Sequence, residues 1–303
     1  MDYNTEKSHM SRRRFIYNTS TAATALVTAS STVAQTNKPL IAGEINNYLN
    51  SLGSEWVDFN NTVDGFDSGN PETVVKGIAV AWTPYIWALK RALDLGCNIF
   101  VTHETPFYEH RKEIEDKFYP YEAIRKKRTF IEKSNITIIR CHDVWDQYPD
   151  IGIPMSWGKF LDLGDPIGGS GWLYVYDGKG HPAVEIARKI ASKTAELGQP
   201  GVQFMGDENR PVYRIALGCG AITPIDRYLK ELKADFTICS DDGINCRKYG
   251  TFSADTGFPI VVVNHAVTED YGMTLMAERF KEAFPGVPVH NIRQHCLFKL
   301  INA

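Results

Sequence analysis

The stretch Asn98-Ile99-Phe100-Val101-Thr102-His103-Glu104 decides the fold, because an apolar, strand-like run ends there in two side chains that can bind metal ions. In open α/β sheets, side chains that follow the carboxyl ends of neighbouring strands converge on one crevice. Residues that are distant in the sequence can therefore meet at such an edge. The position of His103 and Glu104 predicts that they contribute to a site of this kind.

Two further apolar runs end in the same way. The runs span residues 136–141 and 260–264, and the side chains that follow them are His142 with Asp146, and His265 with Glu269. A lone His-Glu pair at a strand end is usually a solvated rim, and two residues four apart can simply face solvent on a helix. The context shared by all three clusters instead favours a metal site.

The available donor atoms fit this interpretation. Neutral imidazole and carboxylate oxygen together suit zinc, iron, manganese or nickel, and they require no thiolate. Three imidazoles and three carboxylates are many for one tetrahedral ion with an open position, but they suit a pair of ions roughly 3.5–4 Å apart. The sequence therefore predicts two divalent ions, with zinc, iron and manganese all left open.

Elsewhere, strand-like and helix-like segments alternate, which predicts an α/β fold of two lobes whose metal site is fed by strand ends from both parts of the chain. The stretch 165–171 is rich in glycine and is the best linker candidate. The predicted parts are an N-terminal signal peptide (residues 1–34), a first α/β lobe with metal motifs (residues 38–164) and a second α/β segment (residues 172–303) that returns His265 and Glu269 to the shared site. Predicted strands are 75–82, 99–102, 136–141, 172–176, 213–217, 236–239 and 260–264, and predicted helices are 41–52, 84–95, 121–133, 154–163, 181–197 and 224–232.

Four segments carry a resemblance to a known family. They are Thr62-Val63-Asp64-Gly65 with Asp67-Ser68-Gly69-Asn70-Pro71, Thr102-His103-Glu104-Thr105-Pro106-Phe107, His142-Asp143-Val144-Trp145-Asp146, and Asn264-His265-Ala266-Val267-Thr268-Glu269. In order and spacing they resemble the Ngg-interacting-factor-three-like dinuclear metal-centre family (domain of unknown function 34), often labelled GTP cyclohydrolase 1 type 2. The resemblance implies ligands at His103, Asp146, His265 and Glu269, with His142 beside the site.

The chain departs from the family pattern at two places. Glu104 stands where the family has a second adjacent histidine, and an extra residue, Thr105, precedes Pro106. A carboxylate can still bind a hard or borderline cation, but it shifts the preference away from soft ions. The family's aspartate-containing motif that ends in histidine has no histidine here, although Asp241 remains as a candidate neighbour of the site.

The leading functional hypothesis is a metal-dependent hydrolase of a small phosphorylated or heterocyclic substrate, with Glu104 or Asp241 available for proton transfer. The family label suggests GTP ring opening, which is hard to reconcile with an exported protein. The alternative is a non-catalytic protein that binds or delivers metal, because ligands for binding and for catalysis look identical in a sequence. The resemblance also implies a ring-shaped homo-oligomer, commonly a hexamer.

The N-terminal segment predicts export. Ser11-Arg12-Arg13-Arg14-Phe15-Ile16 resembles a twin-arginine signal, followed by a mildly apolar stretch and small residues at Thr32-Val33-Ala34, which implies a periplasmic protein. No stretch is continuously apolar over the ~20 residues that a membrane span needs. A formal net charge of −3 gives no global attraction to nucleic acid or to an anionic membrane.

Two smaller features each have two interpretations. The six cysteines include no C-x-x-C pair, and Cys239 and Cys246 are either separate thiols or a disulfide in an oxidising compartment. The turn Leu217-Gly218-Cys219-Gly220-Ala221 lacks the remaining residues of a phosphate-binding loop, which favours a close strand-to-helix connection.

Overall fold

Eleven strands and nine helices build residues 38–111, 118 and 120–301, which are the residues that the computed structural model describes. The strands are β1 (Gly65–Ser68), β2 (Ile78–Ala81), β3 (Ile99–Thr102), β4 (Thr137–Arg140), β5 (Gly168–Ser170), β6 (Leu173–Pro182), β7 (Gln203–Met205), β8 (Pro211–Leu217), β9 (Phe236–Ser240), β10 (Ile260–Val263) and β11 (Val289–Asn291). The helices are α1 (Ala42–Leu52), α2 (Ile86–Asp94), α3 (Glu122–Ser134), α4 (Asp143–Asp146), α5 (Ile153–Phe160), α6 (Ala183–Ala195), α7 (Ile225–Lys230), α8 (Cys246–Thr256) and α9 (His265–Ala283). The predicted α/β class is confirmed, whereas the predicted export signal lies outside the described residues.

The first sheet has the strand order β1-β4-β3-β2-β11. Strands β11, β2, β3 and β4 are parallel, and β1 is antiparallel at the edge beside β4. Thr102, the last residue of β3, pairs with Ala81 on one side and with Arg140 on the other. The residues that directly follow β2, β3 and β4 therefore emerge side by side at one edge of this sheet.

The second sheet has the order β5-β6-β8-β9-β10-β7. Its three central strands, β8, β9 and β10, are parallel, and antiparallel strands complete it on both sides. Val263, the last residue of β10, pairs with Ser240 at the end of β9. The turn after β8 and the start of α9 after β10 consequently lie at the same edge of this sheet.

Side chains alternate between the two faces of each sheet, as a two-residue strand period requires. In β2 and β10, Val80, Val261 and Val263 belong to one shared core, together with residues of α1, α5, α6 and α9. The opposite face of the first sheet packs against α2 and α3, and that of the second packs against α7. Helices of the shared core therefore lie between the two sheets.

Helix α9 is the main element of this central layer. It has 19 residues and packs against α5, β2 and β11. Asp270, in its second turn, is buried and accepts hydrogen bonds from the Arg293 guanidinium and from the backbone N–H of Gln294, which ties the helix to the segment after β11. No helix among the described residues combines the length and apolar character of a membrane span.

The glycine-rich stretch expected to be a linker instead forms a β-hairpin. Gly168 and Ser170 pair with Val175 and Leu173, so that β5 is an edge strand of the second sheet. Gly169 has φ +93°, and a Cβ atom there would lie 1.8 Å from the carbonyl oxygen of Leu173. The glycines therefore permit a close approach of two backbones. The glycine-rich composition of this stretch had instead predicted a linker.

The cysteines form no disulfide. All six are free; Cys239 is buried, and Cys246 is exposed at the start of α8. Burial raises the pKa of the Cys239 thiol to about 12, which makes it an unreactive core residue near neutral pH. The structure thus selects separate thiols over the disulfide alternative.

Candidate metal centre

The three predicted clusters meet in one place. His103 and Glu104 directly follow β3, while His142 follows β4 and Asp146 ends α4. The third cluster lies next to the second sheet, in the first turns of α9, which follows β10. It consists of two residues that are one helical turn apart. These two residues are His265 and Glu269. The site is therefore assembled between the carboxyl ends of strands from both sheets.

His103 lies at the centre of the cluster and is almost fully buried. Its Nε2 atom is 3.3 Å from Asp146 Oδ1 and 3.3 Å from Glu269 Oε2. Its Nδ1 atom is 3.3 Å from the carbonyl oxygen of Cys141, which fixes the ring orientation and leaves Nε2 directed at the two carboxylates. The ring is stacked on that of His142, with centroids 4.3 Å apart.

Each of the two carboxylates near His103 also forms a close pair with another histidine. His142 Nδ1 is 3.0 Å from Asp146 Oδ2, and His265 Nε2 is 3.0 Å from Glu269 Oε1. Between them, Glu104 Oε1 lies 3.8 Å from His142 Nε2 and 3.9 Å from His265 Nε2. The structure therefore places His142 among the potential ligands rather than only beside them.

These residues fit divalent cations. Three overlapping groups have potential ligand atoms within 4.8 Å of one another; they are His103-Glu104-His142, Glu104-His265-Glu269 and His142-Asp143-Asp146. Asp146 Oδ2 and His265 Nε2 are buried and have no hydrogen-bond partner of acceptable geometry, although each has a potential partner atom 3.0 Å away. Buried polar atoms normally have a hydrogen-bond partner. Two donor atoms that lie close together without forming a hydrogen bond can instead both bind the same cation.

The electrostatics of the cluster agree with this fit. Burial alone would lower the pKa of His265, but Glu269 and Asp242 raise it to about 11. Burial alone would raise the pKa of Asp146, but His142 and His103 hold it at about 2. The buried carboxylates are thus stabilised by nearby positive charge, which protonated imidazoles or divalent ions can supply. Ions that bind there must displace those protons.

Asp64 supports the second cluster from behind. Its carboxylate accepts hydrogen bonds from the backbone N–H groups of His142, Asp143 and Val144, and so caps the short helix α4. Asp143 in turn binds the hydroxyl of Thr62 through Oδ2. These contacts explain why the segment around residues 62–65 accompanies the metal motifs in the sequence.

This support predicts a stability effect. Replacing Asp64 by alanine should lower the free energy of unfolding by about 2–4 kcal/mol, because three backbone donors lose their acceptor at once. Urea unfolding of the metal-free protein measures it. Asp58 provides the control, since its Oδ1 accepts a single backbone hydrogen bond at an exposed turn; alanine there should change the free energy by about 0.5 kcal/mol or less. Equal effects of the two substitutions would contradict the supporting role of Asp64.

Sequence reasoning missed Trp82 and Arg140. The indole N–H of Trp82 donates to Glu269 Oε2 at 2.7 Å, and the Arg140 guanidinium donates to Glu104 Oε2 at 3.2 Å. Trp82 directly follows β2, so the same argument from strand ends could have located it. The signal for Arg140 was a charged residue inside the apolar run 136–141, where it is now fully buried.

The two neighbouring aspartates of the 240–246 segment have different positions. Both carboxylate oxygens of Asp241 accept hydrogen bonds at the start of α9, from the side chain of Asn264 and from the backbone N–H of His265. Asp242 instead approaches the ring, with Oδ2 3.3 Å from His265 Nδ1. The contacts of Asp241 thus fit a residue that positions α9 rather than one that transfers protons. Asp242 is the carboxylate that contacts the His265 ring.

The turn after β8 also borders the cluster. Gly220 has φ +52°, and a Cβ atom there would lie 2.6 Å from Glu269 Oε1 and 3.2 Å from His265 Nε2. The carbonyl oxygen of Gly220 accepts a hydrogen bond from the Ser240 hydroxyl, which fixes the turn. The close connection predicted from the sequence is therefore also one wall of the candidate site.

A cavity of about 860 Å³ opens onto the cluster. Its walls carry aromatic side chains from several segments, namely Trp82, Tyr85, Phe107, Tyr108 and Trp172. Glu104, His142, His265 and Glu269 are also among its lining residues. The volume lies within the usual range of about 300–1,000 Å³ for small-molecule sites.

Comparisons with known proteins agree with the fold and with the family resemblance of the sequence. A curated protein of Chlamydia pneumoniae, described as a GTP cyclohydrolase 1 type 2 homolog, is 24% identical over 228 residues, which cover 73% of this chain and 86% of the relative. Two solved structures show the same fold: a hypothetical protein of Staphylococcus aureus (TM-score 0.68, 18% identity, 87% of this chain and 100% of the other) and a protein related to NIF3 from Bacillus cereus (TM-score 0.69, 14% identity, 87% and 100%). The sequence profile of Duf34/NIF3 (NGG1p interacting factor 3) matches residues 42–296, and the chain therefore belongs to that family.

Proposed function

We propose that the protein is a metal-dependent hydrolase of a small molecule with a heterocyclic or phosphorylated group. The observation that carries the proposal is that residues of the imidazole and carboxylate cluster line a cavity of about 860 Å³. A structural metal site is normally closed on all sides by protein ligands, whereas a catalytic site keeps access for water and substrate. This cluster has such access.

The ligands are provided by six side chains, namely His103, Glu104, His142, Asp146, His265 and Glu269. Two divalent ions held there would lower the pKa of water and stabilise negative charge that develops during hydrolysis. Trp82 anchors the Glu269 carboxylate, and Asp242 lies on the outer nitrogen of His265. Such second contacts orient metal ligands and increase their basicity.

The cavity walls indicate the kind of substrate. Trp82, Tyr85, Phe107 and Trp172 present flat apolar surfaces that exclude water and suit an aromatic or heterocyclic ring. The only lysine or arginine side chain among the described lining residues is that of Lys127, whose Nζ donates to the carbonyl oxygen of Pro106. These walls favour the heterocyclic part of a substrate over its phosphate groups.

The test uses the full chain, stripped of metal by a chelator and reloaded with zinc, iron(II) or manganese separately. Each form is incubated with nucleotides, nucleobases, other nitrogen heterocycles and phosphoesters, and products are followed by chromatography. We expect turnover of at least one class, lost on chelation and restored by a divalent ion. A protein that binds its ions fully and hydrolyses none of these compounds would refute the hydrolase and would support a metal-binding or metal-delivery protein instead.

A further inference from the structure

Arg140 is the most heavily engaged cation of the site, although it is not itself a potential ligand. It is the last residue of β4, and only 2% of its surface is exposed. Its Nε atom donates to the carbonyl oxygen of His103 at 3.0 Å, and Nη1 donates to that of His110 at 2.6 Å. Its Nη2 atom reaches both the His110 ring, at 3.1 Å, and Glu104 Oε2, at 3.2 Å.

This arrangement divides the two oxygens of Glu104 between different tasks. Oε2 is bound to Arg140, and Oε1 is turned toward the imidazoles of His142 and His265, 3.8 and 3.9 Å away. Glu104 is also common to two of the three candidate ligand groups, one with His103 and one with Glu269. A carboxylate whose free oxygen faces both groups can serve two ion positions at once.

The pairing of Arg140 with Glu104 also affects the charge balance of the site. Glu104 adds a carboxylate to a cluster that already contains those of Asp146 and Glu269, and like charges close together in a buried site repel each other strongly. The guanidinium of Arg140 adds one positive charge next to Glu104. Glu104 and Arg140 together therefore add no net charge to the site, but the donor atom that Glu104 offers is a hard oxygen.

We propose that Glu104 is an oxygen ligand shared by the two ion positions and that Arg140 is its positioning residue, so that the pair sets the metal preference of this chain. The inference rests on the metal binding contained in the proposed function. Compared with an imidazole at position 104, the pair favours hard ions such as manganese over zinc. Arg140 acts through Glu104 and not through a direct contact with the ions.

The experiment is a double-mutant cycle read out by metal content. The metal-free full chain, Arg140→Met, Glu104→His and the double variant are titrated with manganese and with zinc, singly and in competition, and bound ions are counted by mass spectrometry. We expect Glu104→His to raise the zinc-to-manganese ratio about tenfold or more. Arg140→Met should weaken manganese binding about 10–100-fold in the parent, as loss of an outer contact to a ligand does, but about threefold or less in the Glu104→His background.

Two further variants separate positioning from folding. Arg140→Lys keeps the charge but not the forked geometry, and it should give an intermediate loss of manganese affinity. Arg214→Met, which removes a partly buried arginine whose Nε binds the carbonyl oxygen of Leu232 in the second sheet, should change neither affinity. Thermal melting of each metal-free variant reports whether the fold is retained.

The outcomes are distinct. An Arg140 effect of equal size with and without Glu104, or an unchanged ion ratio in Glu104→His, would overturn this inference and leave the metal centre standing. A parent chain that binds no ion would instead refute the metal centre of the proposed function and this inference with it. The expected cycle would support both.

Discussion

Replacing Asp146 or His265 by alanine should lower the affinity for divalent ions on the order of a hundredfold or more, because the loss of a direct ligand exceeds the 10–100-fold cost of losing an outer contact. The two residues are distant in the sequence and lie on helices that follow strands of different sheets, yet both contain a buried atom that lacks an aligned hydrogen-bond partner. Metal-free protein titrated with zinc or manganese, with mass spectrometric counting of bound ions, measures the effect.

The chain contains a matched control for this prediction. His181 and Glu185 form another His-Glu pair four residues apart, with Nδ1 and Oε2 3.4 Å apart, but the two side chains are 58% and 57% exposed. His181→Ala should therefore leave the ion content unchanged. Full ion content in both Asp146→Ala and His265→Ala would show that the three clusters do not form a shared site.

Replacing Gly220 by alanine should also remove metal, by displacing a ligand rather than deleting one. The added Cβ atom would lie 2.6 Å from Glu269 Oε1, and Glu269 cannot easily move because Trp82 holds its other oxygen at 2.7 Å. We expect ion affinity to fall about tenfold or more, together with a lower melting temperature from a non-glycine residue at positive φ. Ion titration and thermal melting measure the two effects separately.

Gly96 distinguishes steric displacement from backbone strain. It also has positive φ, +77°, but a Cβ atom there would meet nothing within 4 Å. Gly96→Ala should therefore lower the melting temperature without changing ion content. If Gly220→Ala binds ions as well as the parent does, the turn after β8 is not a wall of the metal centre.

The sequence was most informative where an apolar run was continuous. Strands β3, β4 and β10 are buried along their whole length, so their patterns were clear, and the residues that follow them are the ones that converge. Strands β7 and β11 have three residues each and are not uniformly apolar, and they are held by pairing with longer neighbours. Such tertiary pairing leaves little signal in the sequence itself.

The site shows a similar division. The types and order of the residues identified the potential ligands. The roles of the neighbouring residues depend on tertiary contacts that the sequence does not show. Nothing in the adjacent pair Asp241-Asp242 indicates which one binds the backbone and which one approaches His265. The link between Arg140 and Glu104 depends on two strands lying side by side, which the sequence of either strand alone does not contain.

The use of strand β11 and helix α9 sets the time at which this protein can become functional during its synthesis. The first sheet takes a strand from residues 289–291, which follow both sheets' other strands in the sequence, and the cluster takes its last candidate ligand from Glu269. A nascent chain on the ribosome thus contains His103, Glu104 and Asp146 while the cluster and the first sheet both still lack residues that are synthesised later. An ion that binds before residues 265–269 and 289–291 have been synthesised therefore meets an incomplete site.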